Sequence, residues 1–186
     1  MSAEPVELRA DLLAGRAVLF AGAGPLPDGL GATIEHLEDP ATLDDQSAAA
    51  AVKAFAARVG RVDSLVVDAA SAFAAGGPAG MAAALDCSWT LARAAVTAAM
   101  QEQGGGTIVL IAPESGNGNA AAAAVADGLE NAARGLSVEW ARFDVRVVTI
   151  CPRPGAAQAD IRSLVAWLCS PSGTYASGCR LEPGRP

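Results

Sequence analysis

Short apolar runs alternate along the chain with longer alanine-rich stretches in which larger apolar residues recur every three or four positions. The runs predict buried strands, and the recurring positions predict helices with one apolar face. The predicted strands are residues 17–21, 32–37, 64–67, 107–111, 145–150 and 178–181. The predicted helices are residues 46–59, 81–101, 120–141 and 160–168. Because strands and helices alternate, the order is typical of a parallel sheet covered by helices on both faces.

Composition narrows the class of protein. The 186 residues suit one domain, 1–186, and a hydrophobic fraction of 52% with 18% charged residues can bury a core. A net charge of −7 without a basic cluster argues against nucleic acid or an anionic membrane as a partner. No apolar run reaches 18 residues and the first nine residues are polar and acidic, so we expect a cytoplasmic protein with no signal peptide or membrane anchor.

Three residue types that often carry catalysis occur once each, as His36, Lys53 and Tyr175. Any mechanism that needs a Tyr/Lys pair must therefore use two residues that lie far apart in sequence. The four cysteines are widely spaced without a C-x-x-C pair, so we expect reduced thiols and no metal site.

Several segments, in the same order, resemble the short-chain dehydrogenase/reductase family. LAGRAVLFAGAG (13–24) resembles its first strand and glycine turn, and GRVDSLVVDAA (60–70) resembles its fourth strand. GGTIVLI (105–111) is similar to the fifth strand, and LENAARGLSVEW (129–140) with VRV (145–147) to the catalytic helix and sixth strand. Residues 160–181 resemble the closing helix and strand. The resemblance implies a Rossmann-like, doubly wound α/β fold with a mostly parallel sheet of about six strands.

The chain is shorter than the family's usual length of about 250 residues. About ten residues separate Gly22 from the strand at 32–37, where the family places further helices and a strand. About eight residues separate Pro152 from Asp160, where the family carries its substrate-binding loop. We therefore expect a sheet that is truncated in the cofactor half and lacks that loop.

The resemblance assigns the family's catalytic positions to residues that cannot transfer protons. Its Tyr falls at Ala122, its Lys at Ala126, its Ser at Ala112 or Pro113, and its assisting Asn at about Ala84. A methyl group can neither donate a proton nor polarise a carbonyl. We therefore expect no intrinsic activity from this site.

The phosphate-binding turn is also altered. Gly22 and Gly24 are retained as vestiges of the family's cofactor-binding glycines, but Leu26 and Asp28 occupy the later glycine positions. Pro25 and Pro27 remove two backbone donors, and a helix beginning at Asp28 would place a carboxylate where a phosphate belongs. We expect this chain to bind no cofactor.

In the family, the helices that match 81–101 and 120–141 pack against a second subunit, and the last helix and strand form another interface. The resemblance thus implies a non-catalytic subunit of a heterodimer or heterotetramer. Its partner would be a full-length active short-chain dehydrogenase that binds NAD(P) and acts on hydroxyacyl-CoA or steroid-like alcohols. The expected interface residues are Leu85, Trp89, Val96, Met100, Val125, Leu129, Leu136, Trp140, Leu164 and Leu168.

Other functions stay open. An enzyme with a different site could use Asp68, Glu114 and Ser115 near the strand ends, although they match no known catalytic constellation. A ligand- or nucleotide-binding regulator is a further alternative, as is a homodimer with little activity. Asn117 and Asn119 are predicted to cap the helix that begins near Ala120.

Overall fold

The computed structural model describes residues 8–25, 27–116 and 118–184. One parallel sheet forms its centre, with the strand order β2-β1-β3-β4-β5-β6. The strands are β1 (Ala17–Ala21), β2 (Thr33–Leu37), β3 (Ser64–Asp68), β4 (Gly106–Ile111), β5 (Val145–Ile150) and β6 (Arg180–Leu181). The predicted Rossmann-like α/β fold with a six-stranded sheet is confirmed.

The helices are α1 (Asp45–Val59), α2 (Ala69–Ala72), α3 (Gly77–Ala95), α4 (Gln101–Gln103), α5 (Ala120–Glu139) and α6 (Gln158–Cys169). A π-helical turn, Val96–Met100, joins α3 to α4. The four long predicted helices are thus present, with ends that differ from the predictions by a few residues. The apolar period predicted neither the π-helical turn nor the short helix α2.

The two faces of the sheet are covered differently. Helices α1, α3 and α5 cover one, which we call the three-helix face, through a core that includes Leu19, Val52 and Leu129. Helix α6 and the segment 8–15 cover the other, the single-helix face, whose core includes Leu13, Phe20 and Val165. All strand residues of β1, β3 and β4 are buried, as the continuous apolar runs predict.

Local signals fix the helix ends on the three-helix face. Asp44 accepts a hydrogen bond from the Ser47 backbone N–H at 2.8 Å, and the Ser47 hydroxyl accepts one from the Asp44 N–H. This capping box begins α1, and Gly60 ends it with φ +89°, a left-handed conformation that favours glycine. The side chain of Asn119 caps α5 by accepting from the N–H of Ala122, as predicted. Asn117 lies outside the described residues.

The strand pairing at the truncated edge of the sheet shows where the second strand lies. Residues 33–37 pair directly with β1, so β2 is the immediate neighbour of β1 at the edge of the sheet. The described residues between β1 and β2 contain no helix, and Asp28 lies in a turn. The condition considered for Asp28, that it begins a helix, is therefore not met.

None of the helices in the described part of the chain is long and apolar enough to cross a membrane.

Candidate functional site

Open parallel sheets bind ligands beyond the carboxyl ends of their strands, where the chain direction around the sheet reverses. In this sheet the reversal falls between β1 and β3, because β2 lies on one side of β1 and β3 on the other. A cavity of about 350 Å³ opens there, and we call it the Asp68 cavity. Its walls come from the loops that follow β1, β3, β4 and β5 and include Gly24, Asp68, Ala112, Glu114 and Pro152.

Asp68 ends β3 and is 5% exposed. Within the described residues, no basic side chain pairs with its carboxylate, and the donors near it are the N–H groups of Ala23, Ala70 and Ser71 and the Ser71 hydroxyl. Burial raises the pKa of Asp68, and the nearby N–H and hydroxyl of Ser71 offset part of that effect. A desolvated carboxyl group thus lines the cavity.

The two glycines of the turn leave room for this carboxylate. A Cβ atom on Gly22 would lie 2.6 Å from the Ser71 Oγ and 2.7 Å from the Asp68 Cβ. A Cβ atom on Gly24 would lie 2.8 Å from the Asp68 Oδ2. Gly22 also has φ +115°, which favours glycine. Both glycines are therefore explained by the close approach of the chain's own side chains.

A dinucleotide phosphate does not fit this turn. Phosphates are held by free N–H groups at the beginning of a helix, and no helix begins between β1 and β2 in the part of the chain described. The Asp68 carboxylate lies over Gly24, where it would repel a phosphate group. Gly22 and Gly24 follow the carboxyl end of β1, where the resemblance places them, but their surroundings differ from those of a phosphate-binding turn.

The other polar side chains that line the cavity, Glu114 and Gln158, carry no positive charge. Glu114 accepts a hydrogen bond from the N–H of Gly155 at 3.3 Å. Arg153, in the loop after β5, is held by Glu182, with Nη2 2.9 Å from Oε2. Ser115 is half-buried in the loop after β4, and the described residues place no basic group at its hydroxyl to activate it as a nucleophile. The three residues considered for a different enzyme thus form no nucleophile–base pair.

A wider cleft of about 800 Å³ adjoins the Asp68 cavity and shares Ala23, Gly24 and Pro25 with it. An exposed ion pair between Asp28 and Arg162 lies at this cleft. The two hollows thus share walls formed by the glycine turn and by Gln158 of α6.

The positions that the resemblance assigns to catalysis are buried and apolar. Ala122 and Ala126 lie one helical turn apart on α5 and face the core, and Ala84 and Ala112 are 0% exposed. Pro113 is also buried. These side chains offer no proton donor or acceptor.

The single Lys and the single Tyr do not meet. Lys53 is exposed on α1, a helix of the three-helix face. Tyr175 is 95% exposed in the turn after α6, on the single-helix face. The sheet separates them, so they form no catalytic pair.

The ten residues expected at an interface differ in their burial within this chain. Six of the ten residues are buried within this chain and belong to its own core, because the stripes on the helices face the sheet: Val96, Met100, Val125, Leu129, Trp140 and Leu168. Leu85, Leu136 and Leu164 are half-buried, and Trp89 is 50% exposed. Of the ten residues, only these four have solvent-exposed surface that another molecule could contact.

Helices α3 and α5 enclose a hollow of about 250 Å³ that is lined mainly by apolar side chains. Leu85, Trp89 and Leu136 contribute to its wall. The Trp89 ring stacks on the Trp140 ring, with centroids 6.5 Å apart and an angle of 17° between the planes. Trp89 is thus held in place by a buried aromatic ring while half of it faces solvent.

Sequence reasoning did not anticipate the surroundings of Asp68. The Asp–Ala–Ala–Ser sequence at 68–71 carried one signal, because a Ser three residues after an Asp favours a tight turn, and the Ser71 hydroxyl donates to the Asp68 carbonyl oxygen at 2.8 Å. Nothing in the sequence showed that Gln158 and Ile161 of α6 would line the same cavity. Across the described residues, no three His, Cys, Asp or Glu side chains cluster closely enough to hold a metal ion.

Comparison with known proteins supports the fold. No family model and no curated protein sequence matches the chain significantly. A hydroxysteroid dehydrogenase from Escherichia coli superposes with a TM-score of 0.74 at 20% identity over 92% of this chain and 96% of its own. A citronellol catabolism dehydrogenase from Pseudomonas aeruginosa gives a TM-score of 0.77 at 18% identity over 95% and 96%.

A structure from Burkholderia xenovorans that is assigned to the short-chain dehydrogenases/reductases gives a TM-score of 0.71 at 23% identity, over 92% of this chain and 95% of its own. Identities this low establish architecture alone. This chain therefore has the fold of the short-chain dehydrogenases/reductases, in a form shorter than is typical of them.

Proposed function

We propose that this chain is a non-catalytic member of the short-chain dehydrogenase/reductase family that assembles with a full-length active member in a heteromeric oxidoreductase. In this proposal the partner binds NAD(P) and carries the Tyr, Lys and Ser, while this chain contributes structure. The observation that carries the proposal is the burial of apolar side chains at positions 84, 113, 122 and 126 within this shortened form of the fold.

The chemistry of those positions supports the lack of activity. Reduction of a carbonyl by hydride needs an acid that protonates the oxygen, and the methyl groups of Ala122 and Ala126 have no proton to give. The ionisable groups among the described lining residues of the Asp68 cavity are the carboxyls of Asp68 and Glu114, and no Lys or Tyr lines it. Retention of the helices without the acid is expected of a subunit kept for assembly.

The surface of α3 and α5 supports assembly through these helices. Trp89 is half-exposed, and an apolar hollow lies beside it between the two helices. Exposed tryptophan next to an apolar pocket is typical of the anchor of a protein interface. The partner in this proposal inserts an apolar side chain into the hollow and covers Trp89.

The rim of this surface suggests the charge of the partner. A second hollow, of about 480 Å³, lies on another side of Trp89 and is lined by Asp44, Asp45 and Asp86. Arg93 pairs with Asp45, whereas no basic side chain in the described ranges pairs with Asp86. We expect basic side chains around the apolar anchor of the partner, because opposite charges at an interface rim favour association.

The substrate class of the complex is proposed at the level of fold similarity only. Two of the similar structures are named as hydroxysteroid dehydrogenases, and one of those was determined with NADH and a 7-oxo bile acid. A steroid-like or hydroxyacyl-CoA alcohol is therefore the first substrate class to assay with the complex.

The proposal is tested by native mass spectrometry of the protein purified under mild conditions from its own host. We expect a stoichiometric complex with a longer chain that carries an intact Tyr-x-x-x-Lys. Isolated protein that is wholly monomeric or homodimeric, with no such chain in the preparation, would contradict the proposal.

Two matched variants locate the interface. Trp89→Glu places a charge on the α3/α5 surface, and Trp167→Glu places the same charge on α6, where Trp167 is 36% exposed. We expect Trp89→Glu to weaken the complex by at least about tenfold and Trp167→Glu to leave it intact, because a charge buried at an interface without a counterion is unfavourable. The reverse order would assign assembly to α6. Circular dichroism of each isolated variant checks that the chain still folds.

A further inference from the structure

The two buried aspartates at the ends of β3 differ in their partners. Asp63, at the amino end, is 2% exposed and pairs with two cations: its Oδ1 lies 3.2 Å from Arg16 Nη1 and 2.7 Å from Arg61 Nε. Its Oδ2 accepts from the Ala17 N–H at 2.8 Å. A buried carboxylate that serves the fold is thus fully compensated in this protein.

Asp68, at the carboxyl end of the same strand, lacks a paired cation. It is 5% exposed, and none of the 13 ion pairs formed by the described residues includes it. Arg153, in the loop after β5, and Arg162, on α6, are held by Glu182 and Asp28. The N–H groups of Ala23, Ala70 and Ser71 offset only part of the cost of burying this charge. A buried carboxylate without a paired cation lowers stability, so its position facing a cavity favours a positive group from outside the chain.

We propose that the Asp68 cavity binds a small organic cation, a primary ammonium on a short apolar body, with the ammonium paired to the Asp68 carboxylate. This site goes beyond the assembly function and does not depend on it. The carboxylate is already removed from water in the fold, so an ammonium that enters the cavity meets it at low dielectric, where the attraction is stronger than at the surface.

The walls of the cavity define the rest of the ligand. Ile111, Ala112, Pro152, Ala156 and Ile161 supply apolar surface around the carboxylate. A volume of about 350 Å³ lies at the lower end of the range for small-molecule sites. The body of the ligand is therefore compact and apolar, of the size of one ring or a short alkyl chain.

Other classes of ligand fit these walls less well. An anion would be repelled by Asp68 and by Glu114, the second carboxylate of the cavity. A divalent cation needs more oxygen or nitrogen ligands than these two side chains offer, and the described residues bring no third metal-binding side chain close to them. A single organic cation satisfies the one buried charge.

The test is a titration of the isolated full chain at pH 7.5 with benzylammonium, followed by amide NMR and thermal unfolding. Benzyl alcohol, which has the same shape without the charge, is the matched ligand control. Asp68→Asn keeps the shape of the side chain and removes its charge. Glu102→Gln removes one charge from α4, where Glu102 is exposed, and is the matched protein control.

We expect saturable shifts of the Ala23, Gly24, Ala70 and Ala112 amide signals with benzylammonium, and binding at least about tenfold weaker with benzyl alcohol. We expect Asp68→Asn to bind benzylammonium at least about tenfold more weakly than the wild type does. Glu102→Gln is expected to keep the affinity of the wild type. Ala156→Leu, which fills the cavity from a half-buried position, is expected to abolish binding and serves as a second variant if Asp68→Asn does not fold.

Equal affinity for the amine and the alcohol would overturn the proposal, as would equal affinity of the wild type and Asp68→Asn for the amine. Shifts confined to the Trp89 surface would also overturn it, because they would place the cation on the acidic hollow instead. None of these outcomes bears on assembly with a partner subunit, which is measured separately.

Discussion

The two faces of the sheet bury their strand residues equally well with very different elements. On the three-helix face, helices of 15, 19 and 20 residues cover Leu19, which is 0% exposed. On the single-helix face, one helix of 12 residues and irregular segments cover Phe20, which is also 0% exposed. The comparison shows that one helix and irregular segments can close a face of the sheet, provided that a few apolar side chains reach it.

The irregular cover is held by the hydrogen bonds of turns and not by those of a helix. Leu13 and Leu30 pack on β1, and the Leu13 N–H donates to the Leu30 carbonyl at 2.8 Å. Segments without helical hydrogen bonds open more easily than long helices. We therefore expect the single-helix face to be the less stable half of the domain, and the following measurements address that difference.

The largest effect is expected from removing the same side chain on each face. Phe55→Ala, on α1, and Phe20→Ala, on β1, both delete a ring that is 0% exposed. We expect Phe55→Ala to lower the free energy of unfolding by about 4 kcal/mol and Phe20→Ala by about 3 kcal/mol, because the irregular cover of Phe20 can collapse into the cavity. Chemical denaturation measures both. A larger loss for Phe20→Ala would show that the irregular cover is rigid.

Two buried cysteines report which face opens first. Burial raises the pKa of Cys87, in the three-helix core, to about 11 and that of Cys169, in the single-helix core, to about 12. Neither thiol reacts until its surroundings open. In sub-denaturing urea at pH 8 we expect Cys169 to be alkylated about tenfold faster than Cys87. Peptide mass spectrometry follows both, with the half-buried Cys179 as the reference. Equal rates would indicate one cooperative unit.

Asp68→Asn is expected to raise the melting temperature at pH 7.5 by a few degrees. Burial raises the pKa of Asp68 in the folded state. The folded chain therefore binds the Asp68 proton more tightly than the unfolded chain, in which the pKa of Asp is about 3.9. The free energy of unfolding therefore falls as pH rises from the unfolded to the folded pKa, and stays lower above it.

The control for this prediction is acid pH. Near pH 3 Asp68 is protonated in both states, so the melting temperatures of Asp68→Asn and the wild type are expected to converge. The groups facing it do not disturb the comparison: Cys87 is neutral below its raised pKa of about 11, and Glu114 is present in both proteins. A constant difference between the two proteins from pH 3 to pH 8 would contradict the assigned role of the carboxyl group.

The smallest effects concern helix caps. Asn119→Ala removes the cap of α5 and is expected to lower the free energy of unfolding by about 1 kcal/mol. Ala157 begins α6 without a side-chain cap and has the extended backbone of a cap residue, so Ala157→Ser is expected to raise it by about 0.5 kcal/mol. Asn131→Ala, at an exposed position inside α5, is the control. No gain from Ala157→Ser would mean that the beginning of α6 is satisfied in another way.

The sequence predicted the regular elements because their signals are local. The buried run 17–21 became β1 as predicted, and the three- and four-residue spacing of 120–141 became α5 to within two residues. The sequence predicted that α3 begins at Met81, but it begins at Gly77. The first turn contains Gly77, Pro78 and Gly80 and lacks the large apolar residues from which the helix was predicted. Proline is tolerated in a first turn, where its missing N–H has no helical partner.

The candidate site was predicted less completely. The sequence alone identified Asp68 and Glu114 as polar residues at strand ends, and the structure places both at one cavity. From the sequence, the apolar stripes of the helices that became α3 and α5 were also predicted to face a second subunit. Two residues of those stripes, Met100 and Leu129, are buried in this chain's own core. An apolar stripe shows that one side of a helix is buried, but that side can pack on the chain's own sheet or on a partner subunit. Only the tertiary packing shows which of the two it contacts.

The sequence by itself determined the order of strands and helices, the absence of a Tyr/Lys pair and the apolar residues at positions 84, 113, 122 and 126, because each is a property of residue identity and local period. The tertiary structure alone decided that β2 lies beside β1, that Trp89 remains half-exposed, and that Asp63 is paired with two cations while Asp68 is not. The physical reason is that the partners of a buried charge come from segments distant in sequence, and only folding brings them together.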